Sequence, residues 1–286
     1  MSPTSIQVEW IPALNLQDDI YQPDIFYYDP SIPLDNTDVV ADELAGSYVV
    51  HSVTYKGKDA CRVITYLVTP EGAGPYPAVI YLHRDMGHGK AYRSQANRSQ
   101  FLEEAKTLAQ HGVVSLLIEA PFLNGCGDVH DQREGFITQV TDISRGIDLL
   151  EQLPIVDSSR LAFVGHSYGA TWGGVLAGVE PRIKTYVLMG GHAVVGHSAF
   201  HLTNHIPDTH DMEPYVYVSH AGNVPILFMY AENDQSDEST LAWLYYSSAN
   251  EPKTIRWYDT DLYGLEDVGR EDRLVWLADQ LEFDYP

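Results

Sequence analysis

Two stretches near the start of the chain, SYVVHSVTY (47–55) and CRVITYLVT (61–69), alternate β-branched or aromatic residues with polar ones across a short turn containing Gly57. That two-residue period predicts a β-hairpin. Downstream the pattern changes. AVIYL (78–82) and VVSLLI (113–118) read as buried strands, and NRSQFLEEAKTLAQHG (97–112) between them reads as a helix, with Asn97 as cap and Gly112 as stop. Residues 135–153 carry Ile137, Val140, Ile143, Ile147 and Leu150 at helical spacing, ended by Pro154. RLAFV, KTYVLM, PILFMY and TIRWY are further strands, each followed by a turn or helix.

Strands alternating with helices predict an α/β fold: a mostly parallel central sheet with helices on both faces, an antiparallel hairpin at its N-terminal edge, and chemistry at the carboxyl ends of the strands. Residues 1–45 are rich in Pro, Asp and Tyr without clear periodicity and predict an arm packed on one domain spanning 46–286. The long excursion at about 190–222 predicts a lid-like insertion over the carboxyl edge.

Composition narrows the partners. The chain has 286 residues, 44% of them hydrophobic, enough for one large core. Its 17 basic and 40 acidic residues give a formal charge of −23, which repels phosphate backbones and anionic membrane faces. Neither nucleic acid nor a membrane is an expected partner; a small-molecule substrate is, and a homo-oligomer is open. No apolar segment is long enough to span a bilayer, and no basic start precedes an apolar run. Cys61 and Cys126 show no metal or CxxC spacing, so no disulfide framework is expected and a reducing cytoplasm fits.

RLAFVGHSYGATWGG sets Gly165-His166-Ser167-Tyr168-Gly169 between a strand and a small-residue helix. A sharp strand-to-helix turn there presents the serine hydroxyl, the flanking glycines allow strand and helix to approach, and the Tyr168 N–H faces a developing oxyanion. Ser167 is the candidate nucleophile. His166, inside the turn, reads as a packing residue pointing away from the hydroxyl. At these residues the chain resembles the α/β-hydrolases, near their dienelactone-hydrolase-like and prolyl-oligopeptidase-like esterases, from Tyr48 to the C-terminus. The segments that carry the resemblance are GPYPAVIYLHRDMGHG, SRGIDLLEQLPIVDSSRLAFVGHSYGA, PRIKTYVLMGG and PILFMYAENDQSD. It implies a second oxyanion donor in the loop His83-Arg84-Asp85-Met86-Gly87, where Arg84 and Asp85 replace glycines. Their backbone N–H groups still donate, while their side chains crowd or charge the pocket. It also implies an orienting acid after PILFMY, at Asp234 with Asp237 in reserve. Glu119, following VVSLLI, either lines the pocket or is solvated at the surface.

The resemblance puts the catalytic histidine at Tyr263, and no histidine follows His220. A tyrosine with an ordinary pKa near 10 is ionised about one part in a thousand at neutral pH, a handicap of roughly 4 kcal/mol against histidine. Three routes stay open. A histidine of the excursion serves instead: His192, beside Gly190-Gly191, is best placed, and His197, His201, His205, His210 and His220 follow. Alternatively, hydrolysis has been lost and the pocket serves a lyase, cyclase or isomerase step, or small-molecule binding, with Tyr263 donating a hydrogen bond. In the third, Ser167 forms a slow acyl-enzyme helped by Tyr263 or water. Although His197, His201 and His205 recur at four-residue intervals, the missing H-E-x-x-H glutamate and the nearby Pro207 argue against zinc. Carboxylic ester hydrolysis with no cofactor and no metal is therefore the expectation, and a hydrolase fold without turnover is the alternative.

Overall fold

A computed structural model describes residues 20–44, 46–58, 61–84, 97–120, 132–195, 209–233 and 238–286. Its strands are β1 (Thr37–Leu44), β2 (Tyr48–Lys56), β3 (Arg62–Pro70), β4 (Tyr76–Leu82), β5 (Val114–Ile118), β6 (Val156–His166), β7 (Ile183–Met189), β8 (Ile226–Ala231) and β9 (Lys253–Tyr258). Its helices are α1 (Leu102–Gln110), α2 (Gln132–Glu151), α3 (Tyr168–Val179), α4 (Pro214–Val218), α5 (Glu238–Ser248), α6 (Leu265–Val268) and α7 (Arg270–Leu281). Among the described residues the strands form one sheet in the order β1-β2-β3-β5-β4-β6-β7-β8-β9. β1, β2 and β3 run antiparallel up to β5, and from β5 to β9 every pair is parallel.

The parallel strands are apolar throughout because both of their faces are covered. Along β6, Leu161 and Phe163 join one buried cluster with α2, α3, α4 and α5 residues such as Ile143, Trp172, Tyr217 and Tyr245. Ala162 and Val164 point the other way, into a cluster with Leu108 of α1 and Leu277 of α7. Each fully buried Val, Leu or Ile contributes about 1.5–3 kcal/mol, so the two clusters hold the layers together.

Two buried arginines inside these layers are held by hydrogen bonds. Arg273, fully buried on α7, donates from Nε to both oxygens of Glu104 on α1 at 3.0 and 3.2 Å, and Tyr81 donates to the same carboxylate at 3.1 Å. Arg145, 2% exposed on α2, donates to the carbonyls of Lys56 and Ile32 at 2.8 and 2.9 Å. The second of these ties down the N-terminal segment, which is also held by Tyr28 donating to Asp148 and by Tyr21 stacked on His220.

Several expectations change here. Residues 37–44, read as the end of the N-terminal arm, form the edge strand β1; register shifts between Val39 and Ala41 and between Ala41 and Glu43 interrupt its period, which hides it from an alternation test. Asn97 does not cap α1. Phe101 stands at the cap, and residues 97–100 are a turn because Arg98 and Gln100 are bonded to neighbouring strand ends. α2 begins at Gln132 rather than 135. The described part of the excursion after β7 includes α4, whose Val216, Tyr217 and Val218 are buried in the α3 layer. Cys61 is disulfide-bonded, contrary to the expectation of reduced thiols, and the chain's other cysteine, Cys126, lies outside the described residues. A bond of this kind persists where thiols are oxidised. No described helix is long and apolar enough to cross a membrane.

Candidate active site

Ser167 sits between the end of β6 and the start of α3 with φ 50° and ψ −106°. A non-glycine residue at positive φ is strained, and the surroundings must hold it there. They do so from both sides. The Ser167 N–H donates to Met189 O on β7 at 2.7 Å. A Cβ on Gly165 would run into the carbonyl of Gly169, and one on Gly169 into the carbonyl of Leu82, so the turn closes only with glycine at both positions. Beyond it, the first N–H groups of α3 lack partners within the helix and make an electropositive rim beside the hydroxyl. Tyr168 is the first residue of that helix; its half-buried side chain donates to Gln139 Oε1 at 3.4 Å.

His192 follows β7 closely. Its N–H donates to Thr171 Oγ1 at 3.0 Å, and that hydroxyl donates to Ser167 O at 3.1 Å. Gly191 packs on Ala170, where an added Cβ would lie 2.8 Å from Ala170 Cβ. Thus His192 lies against the first turn of α3, one hydroxyl away from the Ser167 backbone.

His166 is fully buried and behaves as a packing residue. Its Nε2 lies 2.9 Å from Leu262 O, which can only accept, so Nε2 carries the proton; Nδ1 accepts from Gln100 Nε2 at 2.6 Å. Burial, with the Arg84 charge adding to it, pushes its pKa down to about 3. Gln100 extends this link: its Nε2 also donates to Glu266 Oε2 at 3.0 Å, and its Oε1 accepts the Arg84 N–H at 2.9 Å. The Arg84 guanidinium pairs with Glu266 Oε2 at 3.2 Å. Burial raises the pKa of Glu266, with Arg84 opposing. Neither Gln100 nor Glu266 was a sequence candidate, and no local pattern marks either one.

This network answers for two expected roles. The Arg84 amide is committed to Gln100, so it is not the unoccupied oxyanion donor that the resemblance implies. Tyr263 is 63% exposed, and its ring lies 5.0 Å from the Arg84 guanidinium carbon. It covers an arginine at the rim, and among the described residues its hydroxyl has no hydrogen-bond partner. Glu119 is 4% exposed, which excludes the solvated-surface alternative, and it faces His83, itself 2% exposed, at the neighbouring strand end. His220 stacks on Tyr21 at 3.7 Å, so it serves the N-terminal segment. Asp85, Gly87, Asp234, Asp237, His197, His201 and His205 lie outside the described residues. Among the described residues, no group of three or more His, Cys, Asp or Glu side chains could hold a metal ion.

No protein-family model and no curated protein matches the chain. Solved structures do. Acetyl xylan esterase 1 from Thermoanaerobacterium sp. superposes with a TM-score of 0.70 at 14% identity, over 91% of this chain and 92% of that one. An S-formylglutathione hydrolase from Agrobacterium tumefaciens gives 0.66 at 15% identity, over 86% and 99%. A protein assigned as a dienelactone hydrolase from Klebsiella pneumoniae gives 0.58 at 16% identity, over 87% and 98%. At such identities the likeness shows the fold, which is that of the α/β-hydrolases.

Proposed function

We propose that this chain hydrolyses a carboxylic ester or related acyl substrate through an acyl-enzyme on Ser167, with His192 as the base in place of the missing histidine. The observation that carries the reading is the strained Ser167 backbone at the head of α3. Strain of this kind is retained at functional sites, and a turn that only had to reverse the chain would not need it. An acetyl xylan esterase and an S-formylglutathione hydrolase among the solved structures of the same fold support the reaction class.

In this scheme the Ser167 hydroxyl attacks the acyl carbon and its proton passes to His192. The resulting oxyanion is met by the Tyr168 N–H and by the loop from His83 to Gly87, with Asp85 replacing the committed Arg84 as second donor. His192 returns the proton to the leaving alcohol, and water then repeats the sequence to release the acid. Asp234, or Asp237, orients the base. The chain's own groups suffice for these steps, so no cofactor is invoked.

A second reading, a hydrolase fold without hydrolytic turnover, is favoured by one feature: the usual histidine position holds Tyr263, turned outward over Arg84. The two readings separate in one assay. Intact-mass analysis after a fluorophosphonate probe, together with turnover of p-nitrophenyl acetate, is measured for the parent, Ser167→Ala, His192→Ala and Tyr263→His. Hydrolysis predicts a single adduct lost in Ser167→Ala and a rate at least about 10²-fold lower in His192→Ala. Tyr263→His is expected to gain nothing, because residue 263 faces solvent. An unreactive parent combined with an active Tyr263→His would establish the second reading.

A further inference from the structure

One side chain in the turn before α1 ties together three segments around the serine turn. Gln100 Oε1 accepts the Arg84 N–H at 2.9 Å, and Gln100 Nε2 donates to His166 Nδ1 at 2.6 Å and to Glu266 Oε2 at 3.0 Å. Its partners come from distant parts of the chain. Arg84 follows β4, His166 closes β6 directly before Ser167, and Glu266 lies on α6 just beyond Tyr263.

The bonds match in kind. His166 Nε2 donates to Leu262 O, so Nδ1 of the neutral ring can only accept, and an amide nitrogen can only donate. Two independent constraints thus fix the ring tautomer and the orientation of the amide. Turned over, the amide would set Oε1 against the His166 lone pair and the Glu266 carboxylate. That carboxylate oxygen also takes the Arg84 guanidinium at 3.2 Å, a charge-assisted bond that closes the link back to Arg84. The turn carrying Gln100 is itself anchored: the Gln100 N–H donates to Asn97 O at 3.1 Å, and the Arg98 N–H donates to Glu119 Oε2, at the end of β5, at 3.3 Å.

The effect falls on one peptide plane. The N–H of the trans peptide between His83 and Arg84 points to Gln100, so its carbonyl, His83 O, points the opposite way. That carbonyl abuts Gly169, where an added Cβ would stand 3.1 Å from it. The peptide that opens the expected oxyanion loop is therefore gripped between Gln100 and the first turn of α3. We propose that Gln100 is a positioning residue, which fixes this peptide against α3 and, through the His166 ring, steadies the turn that presents Ser167. An amide suits the task because it accepts and donates from one rigid plane.

The catalytic half of this inference rests on the hydrolase reading; the clamp itself does not. The full chain is labelled with 15N-arginine and 15N-histidine, the Arg84 amide being identified by its loss in Arg84→Lys and the His166 ring by its loss in His166→Gln. In the parent the Arg84 amide should exchange slowly, and His166 Nδ1 should show a hydrogen-bonded lone pair. Gln100→Met, of similar length but without polar bonds, should speed that exchange about tenfold or more, return Nδ1 to the signal of an unbonded nitrogen, and lower kcat for p-nitrophenyl acetate about tenfold with KM little changed. Gln100→Glu separates positioning from packing. Protonated, its carboxyl donates and accepts as the amide does; ionised, it only accepts. The Glu266 carboxylate and partial burial favour the protonated form, with Arg84 opposing, so the kcat of Gln100→Glu relative to the parent should rise about threefold or more from pH 8 to pH 5 while the Gln100→Met ratio stays flat.

A fast-exchanging Arg84 amide or an unbonded Nδ1 in the parent overturns the proposal, as does a flat profile for Gln100→Glu or an unchanged kcat in Gln100→Met. If Gln100→Met does not fold, the parent's signals and the Gln100→Glu profile decide. A parent without ester turnover refutes the hydrolase reading alone, because amide exchange and the ring signals still test the clamp.

Discussion

Replacing His166 with glutamine should change how stability depends on pH, by an amount set by the burial of the imidazole. The folded pKa is about 3, against an ordinary value near 6.5. Because the folded value is the lower one, the unfolded chain binds the extra proton between those limits. The contribution of His166 is therefore fully present above about pH 6.5 and is lost as pH falls towards 3. At about 1.36 kcal/mol per pH unit, the parent forfeits about 2 kcal/mol through this residue between pH 7.5 and 5, and at most about 5 kcal/mol by pH 3. Glutamine can donate to Leu262 O and accept from Gln100 but does not titrate. At pH 7.5, His166→Gln should be less stable than the parent by about 1 kcal/mol for imperfect geometry; at pH 5 the order should reverse. Glu266 has a raised pKa, so its contribution moves the opposite way, growing as pH falls, and it is present in both proteins. Urea unfolding followed by tryptophan fluorescence at the two pH values measures the double difference. Parallel pH dependences, within about 0.5 kcal/mol, would mean that His166 is not held neutral in the fold.

Other perturbations follow from the same contacts. Gly169→Ala drives a methyl group into the Leu82 carbonyl, and the fold should lose about 3 kcal/mol or more along with any Ser167 reactivity, seen by thermal unfolding and probe labelling. Glu104→Gln strands the fully buried Arg273 and should cost about 3–5 kcal/mol, most of it recovered in Glu104→Met/Arg273→Met; a double variant no better than the single would count against an uncompensated charge as the cause. A thiol titration of the denatured, unreduced protein should find no free cysteine, and Cys61→Ser should lower stability by about 4 kcal/mol if the loop closed is the roughly 65 residues to Cys126.

Much of the candidate site was readable from local patterns because its causes are local. The strand periods, the glycines flanking Ser167 and the small residues after them describe a turn that needs no distant information. His192 was marked by its place after Gly190-Gly191, and His166 as a packing residue by its place within the turn. By contrast, β1 was missed because two register shifts broke its alternation, and Asn97 was misread because its segment is bonded to strand ends instead of entering α1.

The amino-acid order by itself determined the alternation of buried strands and amphipathic helices, the position of the strained serine and the absence of a histidine after His220, since each depends on residues close together in the chain. Only the tertiary structure decided what surrounds them. Arg84 and Glu266 stand 182 positions apart, yet their ion pair, joined through Gln100 to His166, commits the Arg84 amide and leaves the Tyr263 ring over the guanidinium. Hydrogen bonds and charge act over a few ångströms of space, and distance along the chain does not encode which strand ends the fold will bring within that reach.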